Sequence, residues 1–533
     1  MTTATVDAVV VGAGPNGLVA ANALGDAGWE VALLESQPEV GGAVRSAEVT
    51  APGYVSDLFS AFYPLAAASP VIRDLDLPAH GLVWRQAPDV LAHVLDDGRA
   101  AVLRRAPQDT AEGLERFADG DGQAWLDLVA GWNAVRDPLL DALFTPFPPL
   151  QGARRMVQRL GVRGTVDFAR LAAMSVRRLG QETFGGVGAP LLLTGNAMHS
   201  DLHPDGAGSA LMGWLLCMLG QDVGFPVPQG GAGQLAQALL ARARSVGVEC
   251  ETNATVTSVV TEGGAAAGVR LADGRTIRAR RAVLADVSAP TLYRRLLRPD
   301  QVPSRLLHDL ERFDWDPGTV KVNWALDRPV GWQAAPARGA GTVHLGVDAD
   351  GFVDFAADLS TGRLPQRPFV LFGQMTTADP TRSPAGTESA WAYTHVPRSL
   401  EVTGDLLERH VRAVEEAVER VAPGFASSVV ARHVQSPGDL EAADANLVGG
   451  AINAGTAGLH QQLVFRPTPG LGRPETPIPG LYLAGASAHP GGGVHGACGW
   501  NAARAALGNH GRLGAVRRAL VRTAWSRLLP PTR

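Results

Sequence analysis

The stretch Val6-Asp-Ala-Val-Val-Val11-Gly12-Ala-Gly14-Pro-Asn-Gly17 predicts a buried strand that turns directly into a helix. Its first half is short, mostly apolar and β-branched, which is typical of a parallel strand covered on both faces. Gly12 permits a tight turn, Gly14 lets the backbone approach a pyrophosphate, and Gly17 lets the helix pack closely on the strand. The stretch therefore predicts the first part of a βαβ unit.

A helix over Leu18–Leu24 and a second strand over Val31–Leu34 complete that unit. Glu35 ends the second strand, 23 residues after Gly12. Its carboxylate can accept hydrogen bonds from ribose hydroxyls, while it would repel a 2′-phosphate. The free N–H groups at the start of the helix face the phosphates. The sequence thus predicts a dinucleotide site, and the alternative is a glycine turn followed by a surface glutamate.

Two further stretches favour FAD over NAD. Gly41 and Gly42 allow close passage of a cofactor and Arg45 can reach a phosphate, and together they resemble the double-glycine-plus-Arg extension of large flavoprotein families. Near the other end of the chain, a strand over Gly480–Gly485 and a helix from about Ala497 resemble the element that closes over the flavin. A second G-x-G-x-x-G there, at residues 491, 493 and 496, lacks the acid that should follow. We therefore expect one FAD and no separate NAD(P)H domain.

The composition is that of a globular protein with several domains. The chain has 533 residues, 46% apolar and 19% charged, and this length predicts two or three domains. A formal net charge of -5 gives a nucleic-acid partner no electrostatic support. Cys217, Cys250 and Cys498 show no CxxC spacing, which disfavours a dithiol or a disulfide framework. Because the first strand leaves no room for a signal peptide, we expect a cytoplasmic protein.

Three blocks together resemble the phytoene-desaturase-like flavoproteins, relatives of the amine-oxidase and carotenoid-desaturase group. They are the N-terminal glycines, the block Pro228–Leu235 and the block Pro479–Gly496. The resemblance covers about residues 6–508 and is especially strong to the pyridine-nucleotide-disulfide-oxidoreductase-like branch. It implies an α/β fold in which residues 6–75, 226–295 and 440–508 form a discontinuous Rossmann-like FAD-binding domain. An inserted α+β substrate domain then takes residues 76–225 and 296–439, and residues 509–533 form a basic tail.

The resemblance also implies particular cofactor contacts. The backbone of Val256 matches the position that meets the adenine. Many relatives carry an acid after the glycine of the last strand, whereas Gly485 is followed here by Ala486, so backbone must replace one contact. The cofactor-binding residues that we expect are Gly12, Gly14, Pro15, Asn16, Gly17, Glu35, Ser36, Gly41, Gly42, Arg45, Val256, Gly485, Ala486, Gly493 and Val494.

The activity implied is FAD-dependent oxidation of an apolar substrate such as a polyene, an isoprenoid or a lipid. Hydride would pass between a C–C bond and flavin N5, and the dipole of the helix after Val494 would stabilise the negative charge of the reduced flavin. Oxygen or a quinone is expected as electron acceptor rather than NAD(P). The alternatives are an amine or amino-acid oxidase and a non-catalytic protein that binds a lipid or a prenyl group.

Candidates for the catalytic base are few. His489 and His495 flank the glycine run, and a histidine there can titrate near neutral pH. The alternative is that both are structural. In amine-oxidase relatives a lysine holds a water near N5, and Lys321 is the only lysine of this chain. Alternation along its strand would equally place Lys321 on a solvated face, which we favour.

Two other features allow a metal site or a membrane contact. His199 and His203 have the i, i+4 spacing of a metal pair, although Pro204 favours a loop near the pocket, and no metal is expected. The sequence after Thr476 has seven arginines and no acid. Its last part, Val516–Leu529, predicts either a basic helix that touches anionic lipid or, as we favour, an ordinary surface helix with a loose tail.

Overall fold

A computed structural model describes residues 4–470 and 472–529 of the chain. Its strands are β1 (Ala4–Val11), β2 (Val31–Leu34), β3 (Ser46–Ala47), β4 (Ser56–Asp57), β5 (Trp84–Arg85), β6 (Asp89–Val94), β7 (Ala100–Leu103), β8 (Val227–Pro228), β9 (Glu249–Glu251), β10 (Val256–Glu262), β11 (Ala265–Leu271), β12 (Thr276–Ala285), β13 (Gly318–Leu326), β14 (Ala340–Leu345), β15 (Val370–Gln374), β16 (Glu388–Val396), β17 (Val429–Gln435) and β18 (Leu481–Leu483). Its α-helices are α1 (Pro15–Asp26), α2 (Pro64–Ala68), α3 (Pro70–Arg73), α4 (Pro107–Glu115), α5 (Asp121–Phe144), α6 (Leu150–Ala173), α7 (Val176–Thr183), α8 (Gly188–Met198), α9 (Ser209–Asp222), α10 (Gly233–Ser245), α11 (Ala289–Thr291), α12 (Ser304–Asp309), α13 (Ala349–Ser360), α14 (Met375–Ala378), α15 (Gly404–Val421), α16 (Phe425–Ser428), α17 (Pro437–Ala443), α18 (Ala497–His510) and α19 (Gly514–Leu528).

The first large sheet has seven strands and a parallel centre. Its order is β10-β11-β12-β1-β2-β9, and β18 adds to β12. The pairs β1–β2, β1–β12, β2–β9 and β12–β18 are parallel, while β10, β11 and β12 form an antiparallel extension. Strands from the beginning, the middle and the end of the chain therefore share one sheet, and the predicted α/β class is confirmed.

Helices α1, α10 and α18 cover one face of this sheet, and the segment around Leu292–Leu310 covers the other. Both faces are therefore apolar, which explains why β1 reads as a continuous apolar run. Strand β12 is continuous, although the sequence predicts separate strands at 276–280 and 282–285. Arg280 and Arg281 lie at a register shift between β12 and β1, and both contact Asp7 of β1.

The second large sheet has the order β17-β13-β16-β15-β14-β6-β7. Helix α15 packs on one face through Val411, Val414 and Val418. The other face contributes Leu371 and Trp391 to an apolar cluster, whose other members are Ala61, Leu191, Met198, Val227, Val347, Phe352, Phe355, Phe369, Met375 and Ala378. Since both faces are covered, every residue of β13 is buried.

A buried ion network joins the second sheet to the first part of the chain. The Arg382 guanidinium pairs with Asp57 at 3.0 Å and with Asp379 at 3.1 Å, and all three side chains are fully buried. The same carboxylates accept the backbone N–H groups of Ala232 and Gly230, which belong to the glycine block predicted at 228–235. This network fixes the glycine block against the second sheet.

None of the helices in the described part of the chain is both long and apolar enough to cross a membrane. Helix α19 lies on the surface, where Arg517 pairs with Glu475 at 2.9 Å. Its Trp525 packs against the apolar core on the face of the first sheet that the segment around Leu292–Leu310 covers. Val516 and Leu520 of the same helix are mostly exposed. The last residues of the predicted tail, 530–533, lie outside the described residues.

Candidate active site

A cavity of about 490 Å³ opens at the carboxyl ends of β1, β2 and β12, where open α/β sheets bind their ligands. Its wall comes from the beginning, the middle and the end of the chain. The lining residues are Val11, Gly12, Gly14–Asn16, Leu34–Gln37, Gly42, Ala43, Ala254–Thr257, Asp286–Ser288, Thr291, Arg295, Leu296, Ala443–Leu447, Ile452, Ala454, Ala486 and Gly491–Val494.

The first turn leaves no room for side chains. Gly12 has φ +93°, and a Cβ there would lie 2.7 Å from the Asp286 carbonyl oxygen. A Cβ on Gly17 would collide with the Gly12 carbonyl, so this glycine lets α1 start directly against the turn. The N-terminal end of α1 therefore points its positive dipole end at the cavity, where the Gly17 N–H is already donated to Asp286 and Pro15 has no N–H.

The Glu35 carboxylate is held in one orientation at the end of β2. One oxygen accepts the Ala13 N–H at 2.8 Å, and the other accepts the Gln37 N–H at 2.9 Å and the Ser36 hydroxyl at 3.2 Å. The residue is buried in the cavity wall. The oxygen that accepts only the Ala13 N–H keeps a lone pair, which fits a ribose hydroxyl.

Most predicted cofactor residues belong to the cavity wall. Those that line it are Gly12, Gly14, Pro15, Asn16, Glu35, Ser36, Gly42, Val256, Ala486, Gly493 and Val494. Gly17, Gly41 and Gly485 lie one layer behind, where they allow close packing; a Cβ on Gly485, for example, would lie 2.6 Å from the Val287 carbonyl oxygen.

Arg45 does not occupy the place predicted for it. Its guanidinium donates to the carbonyls of Gly42 at 2.9 Å and Ala443 at 2.7 Å, and it lies over the Phe59 ring. The arginine is buried and outside the cavity wall. The structure therefore gives Arg45 a structural role, in which its guanidinium links the backbone of Gly42 to that of Ala443.

Sequence reasoning missed Asp286, Arg295 and Asp444, which also line the cavity. Burial raises the pKa of Asp286 to about 8, and the neighbouring Asp444 and Glu35 carboxylates add to that rise. Burial likewise raises the pKa of Asp444. A usable signal existed for Asp286, since it directly follows a predicted strand and the carboxyl ends of parallel strands face the ligand.

The two predicted histidines lie behind the glycine loop. His495 uses both ring nitrogens, since Nε2 contacts the Gly491 carbonyl at 3.1 Å and Nδ1 accepts the Ala497 N–H at 3.0 Å. His489 Nε2 lies 3.1 Å from the Thr145 carbonyl. Burial lowers the pKa of both histidines to about 4. The expectation that they titrate near neutral pH is therefore wrong, and His495 anchors the start of α18.

The prediction of a solvated Lys321 is also wrong. The side chain is 2% exposed, its Nζ donates to the Phe59 carbonyl at 3.2 Å, and it lies 4.2 Å from the centre of the Trp391 ring. Alternation failed here because β13 is an interior strand that is covered on both faces. Burial lowers the pKa of Lys321 to about 7, although Asp57 opposes this shift.

His199 and His203 do not share a helix face. Helix α8 ends at Met198, and His203 sits in the following turn, where its Nδ1 accepts the Asp205 N–H. His199 instead contacts His344 of the second sheet, with 2.7 Å between their Nε2 atoms. The preferred prediction of a loop therefore describes His203 correctly.

A buried acid–histidine pair lies behind the part of the cavity wall that Gly491–Val494 form. Asp201 Oδ1 is 2.6 Å from His395 Nε2, and both side chains are buried. Asn453 donates to the other Asp201 oxygen at 3.0 Å and packs against Gly492 of the cavity wall. Asp316 faces the same pair, and burial together with the Asp201 charge raises its pKa well above the usual value. These residues come from distant parts of the chain and were not predicted.

Comparison with known proteins agrees with this geometry. The family model for flavin containing amine oxidoreductases matches residues 16–507. Pyridine nucleotide-disulfide oxidoreductase domain-containing protein 2 of Mus musculus is 31% identical over 93% of this chain and 92% of its own. A neurosporene-forming phytoene desaturase of Cereibacter sphaeroides is 24% identical over 92% of both chains. The solved cyclohexylamine oxidase of Brevibacterium oxydans superposes with a TM-score of 0.55 at 16% identity, covering 97% of this chain and 99% of its own.

Proposed function

The chain belongs to the flavin-containing amine oxidoreductase family and is an FAD-dependent oxidoreductase, and we propose that it desaturates a C–C bond of an apolar substrate. One observation carries the substrate class. Within the cavity wall, Val287, Leu447, Ile452, Ala454, Ala486 and Gly491–Val494 form the part without ionisable side chains, whereas Glu35, Asp286, Arg295 and Asp444 lie in the rest. Polyenes, isoprenoids and lipids fit that part, because its own side chains offer no counter-charge to a cationic substrate and the buried acids Asp201 and Asp316 lie outside the lining.

The cavity wall also fits FAD. We propose that Glu35 binds the ribose of the adenosine half, that the turn from Gly12 to Gly17 binds the pyrophosphate, and that the loop Gly491–Val494 lies along the flavin. When bound, the flavin supplies the hydride acceptor. Helix α18 begins just after that loop, and the positive end of its dipole stabilises negative charge near the loop.

Desaturation needs a second acceptor for the proton. When one carbon of the substrate gives up a hydride, the neighbouring carbon gives up a proton, and the electron pair left behind forms the double bond. We propose that the Asp201–His395 pair takes up this proton, since Asn453 connects it to Gly492 of the cavity wall. His489 and His495 are poor bases, because burial holds their pKa values at about 4.

The electrons then pass to oxygen or to a quinone in our proposal. The second G-x-G-x-x-G, at residues 491, 493 and 496, opens no nucleotide unit of its own and belongs to the wall of the FAD cavity. A nicotinamide cofactor therefore gains no support from this motif.

We also propose a peripheral contact with membranes, through which a lipid-soluble substrate would enter. Helix α6 supports it, since Leu150, Val162 and Val166 are 72%, 83% and 60% exposed. The same helix carries five arginines, at 154, 155, 159, 163 and 170. Exposed apolar side chains among arginines suit an anionic lipid surface. We expect the protein to pellet with anionic liposomes in a salt-sensitive way, and we expect the double variant V162D/V166D to weaken this pelleting at least severalfold. If neither this variant nor truncation after Leu507 changes the pelleting, the proposed membrane contact is contradicted.

The visible spectrum of the purified holoenzyme tests the main proposal. Under anaerobic conditions, we expect the flavin absorbance to bleach on titration with polyene or isoprenoid lipids and to stay unchanged with primary amines. Bleaching by amines alone would establish the second candidate, an amine oxidase, which the buried carboxyls of Asp201 and Asp316 favour as partners for an ammonium group. A protein that binds FAD but bleaches with neither class would instead favour a non-catalytic lipid-binding protein.

A further inference from the structure

The carboxyl group of Asp286 lies where the glycine turn is expected to bind pyrophosphate. Its Oδ2 accepts the Gly17 N–H at 2.8 Å, at the N-terminal end of α1. A Cβ added to Gly14 would lie 2.9 Å from the same oxygen, and one added to Gly485 would lie 3.1 Å from Oδ1. The side chain is 7% exposed and belongs to the cavity wall. A carboxyl group and a pyrophosphate thus have to share one small volume.

The charges around Asp286 make an ionised carboxylate unfavourable there. Glu35 at the end of β2 and Asp444 on the loop after α17 add negative charge, and the Cys498 thiol faces it from α18. Arg45 is bonded to two carbonyls outside the wall. Arg295 is the cation in the described lining, and its side chain is exposed to solvent. Repulsion between an ionised carboxylate and a pyrophosphate would therefore have little compensation.

We propose that Asp286 binds FAD as a neutral carboxylic acid, in which one oxygen accepts the Gly17 N–H and the other donates its O–H to a pyrophosphate oxygen. This arrangement satisfies both oxygens and converts repulsion into a hydrogen bond to a charged acceptor. The raised pKa of the carboxyl, about 8, agrees with a neutral group at physiological pH. The inference rests on FAD binding and not on the proposed substrate.

The proton on Asp286 makes the affinity for FAD depend on pH. The negative pyrophosphate raises the pKa of Asp286 further in the complex, so the bound form holds its proton at a pH where the free protein loses it. Above about pH 8, binding therefore takes up one proton, and the dissociation constant of FAD rises about tenfold per pH unit. Below that pH the affinity is constant.

Equilibrium dialysis of the full chain, freed of bound FAD, against FAD from about pH 6 to about pH 9.5 tests this inference. In the wild-type protein we expect the dissociation constant of FAD to rise about tenfold per pH unit above about pH 8. In D286N, whose amide can accept from Gly17 and donate to phosphate, we expect an affinity at neutral pH within a few-fold of the wild type and no slope. D286A should bind FAD more weakly at every pH. The matched control D444N should keep the slope.

Ligand fragments show whether the titrating group faces the pyrophosphate. ADP, which carries the pyrophosphate, should show the same rise in dissociation constant with pH, while adenosine should show none. Because these titrations use the wild-type chain, an ADP affinity that does not change above about pH 8 overturns the proposal even if the variants fail to fold, and D444N separates Asp286 from Asp444. A flat wild-type profile, a slope that survives in D286N, or tenfold tighter binding by D286N at neutral pH would each overturn the proposal. None of these measurements depends on turnover, so the proposed desaturation can fail independently.

Discussion

Replacing Arg382 with methionine leaves two buried carboxylates without the guanidinium that they share. Arg382 lies 3.0 Å from Asp57 and 3.1 Å from Asp379, and none of the three side chains is exposed. Removing one partner of a buried ion pair costs about 3–5 kcal/mol, because the remaining charge stays desolvated. Both carboxylates keep backbone N–H donors, from Ala232 and Gly230, which holds the loss within that range.

Thermal unfolding of the holoenzyme measures this loss. An unfolding entropy of about 2.1 cal/mol/K per residue gives about 1.1 kcal/mol/K for 533 residues. We therefore expect R382M to lower Tm by about 3–5 °C if the chain unfolds as one unit, and by more if a smaller unit unfolds first.

The matched control is R328M, at an exposed pair with Asp327 in which each side chain is 50% exposed. Such pairs contribute at most about 1 kcal/mol, so this variant should stay close to the wild type. The triple variant R382M/D57N/D379N should recover part of the loss, since it leaves no unpaired charge. An R382M variant as stable as R328M would refute the reasoning.

Three further predictions concern the lysine, the ribose site and the glycine turn. Lys321 has a pKa of about 7 in the folded chain and binds its proton more tightly in the unfolded chain, so the stability of the wild type should rise between about pH 7 and about pH 10. K321M should abolish that rise in Tm. A K321M variant whose Tm depends on pH as that of the wild type does would contradict the prediction. E35Q should weaken FAD binding by about tenfold or more in equilibrium dialysis, because a charged acceptor contributes about 1.5–3 kcal/mol; an unchanged Kd would place the ribose elsewhere. Gly42 has φ +52° and lines the cavity, so G42A should lower both Tm and the flavin content. The control G28A, at φ +75° with no atom within 4 Å of an added Cβ, should lower Tm alone. Equal flavin content in the two variants would count against a flavin site at Gly42.

The glycine turn could be predicted because its chemistry is local. Gly12, Gly14 and Gly17 act through backbone geometry within one turn, and Glu35 follows from the length of a βαβ unit. The parallel sheet and the α/β class were predictable for the same reason, since each strand reads as an apolar run between turn residues.

Burial by distant elements was not predictable. Lys321 alternates in the sequence as a surface residue does, and only the position of β13 inside the second sheet shows that both its faces are covered. Arg45 has the right spacing for a phosphate, yet its guanidinium donates to two carbonyls, one of them the distant Ala443. The Asp201–His395 pair joins a turn after α8 to a strand almost two hundred residues later, and no local pattern encodes that meeting.

The place of β18 in the first sheet bears on how the chain is made. This strand, Leu481–Leu483, pairs with β12, whose other neighbour β1 comes from the first residues of the sequence. On the ribosome, β1 and β12 therefore emerge long before the strand and the glycine loop that complete the cavity beside them. If Gly491–Val494 lie along the flavin as proposed, a nascent chain should retain FAD only after translation has passed Val494. Flavin absorbance should therefore be absent from ribosome-stalled fragments that end before β18.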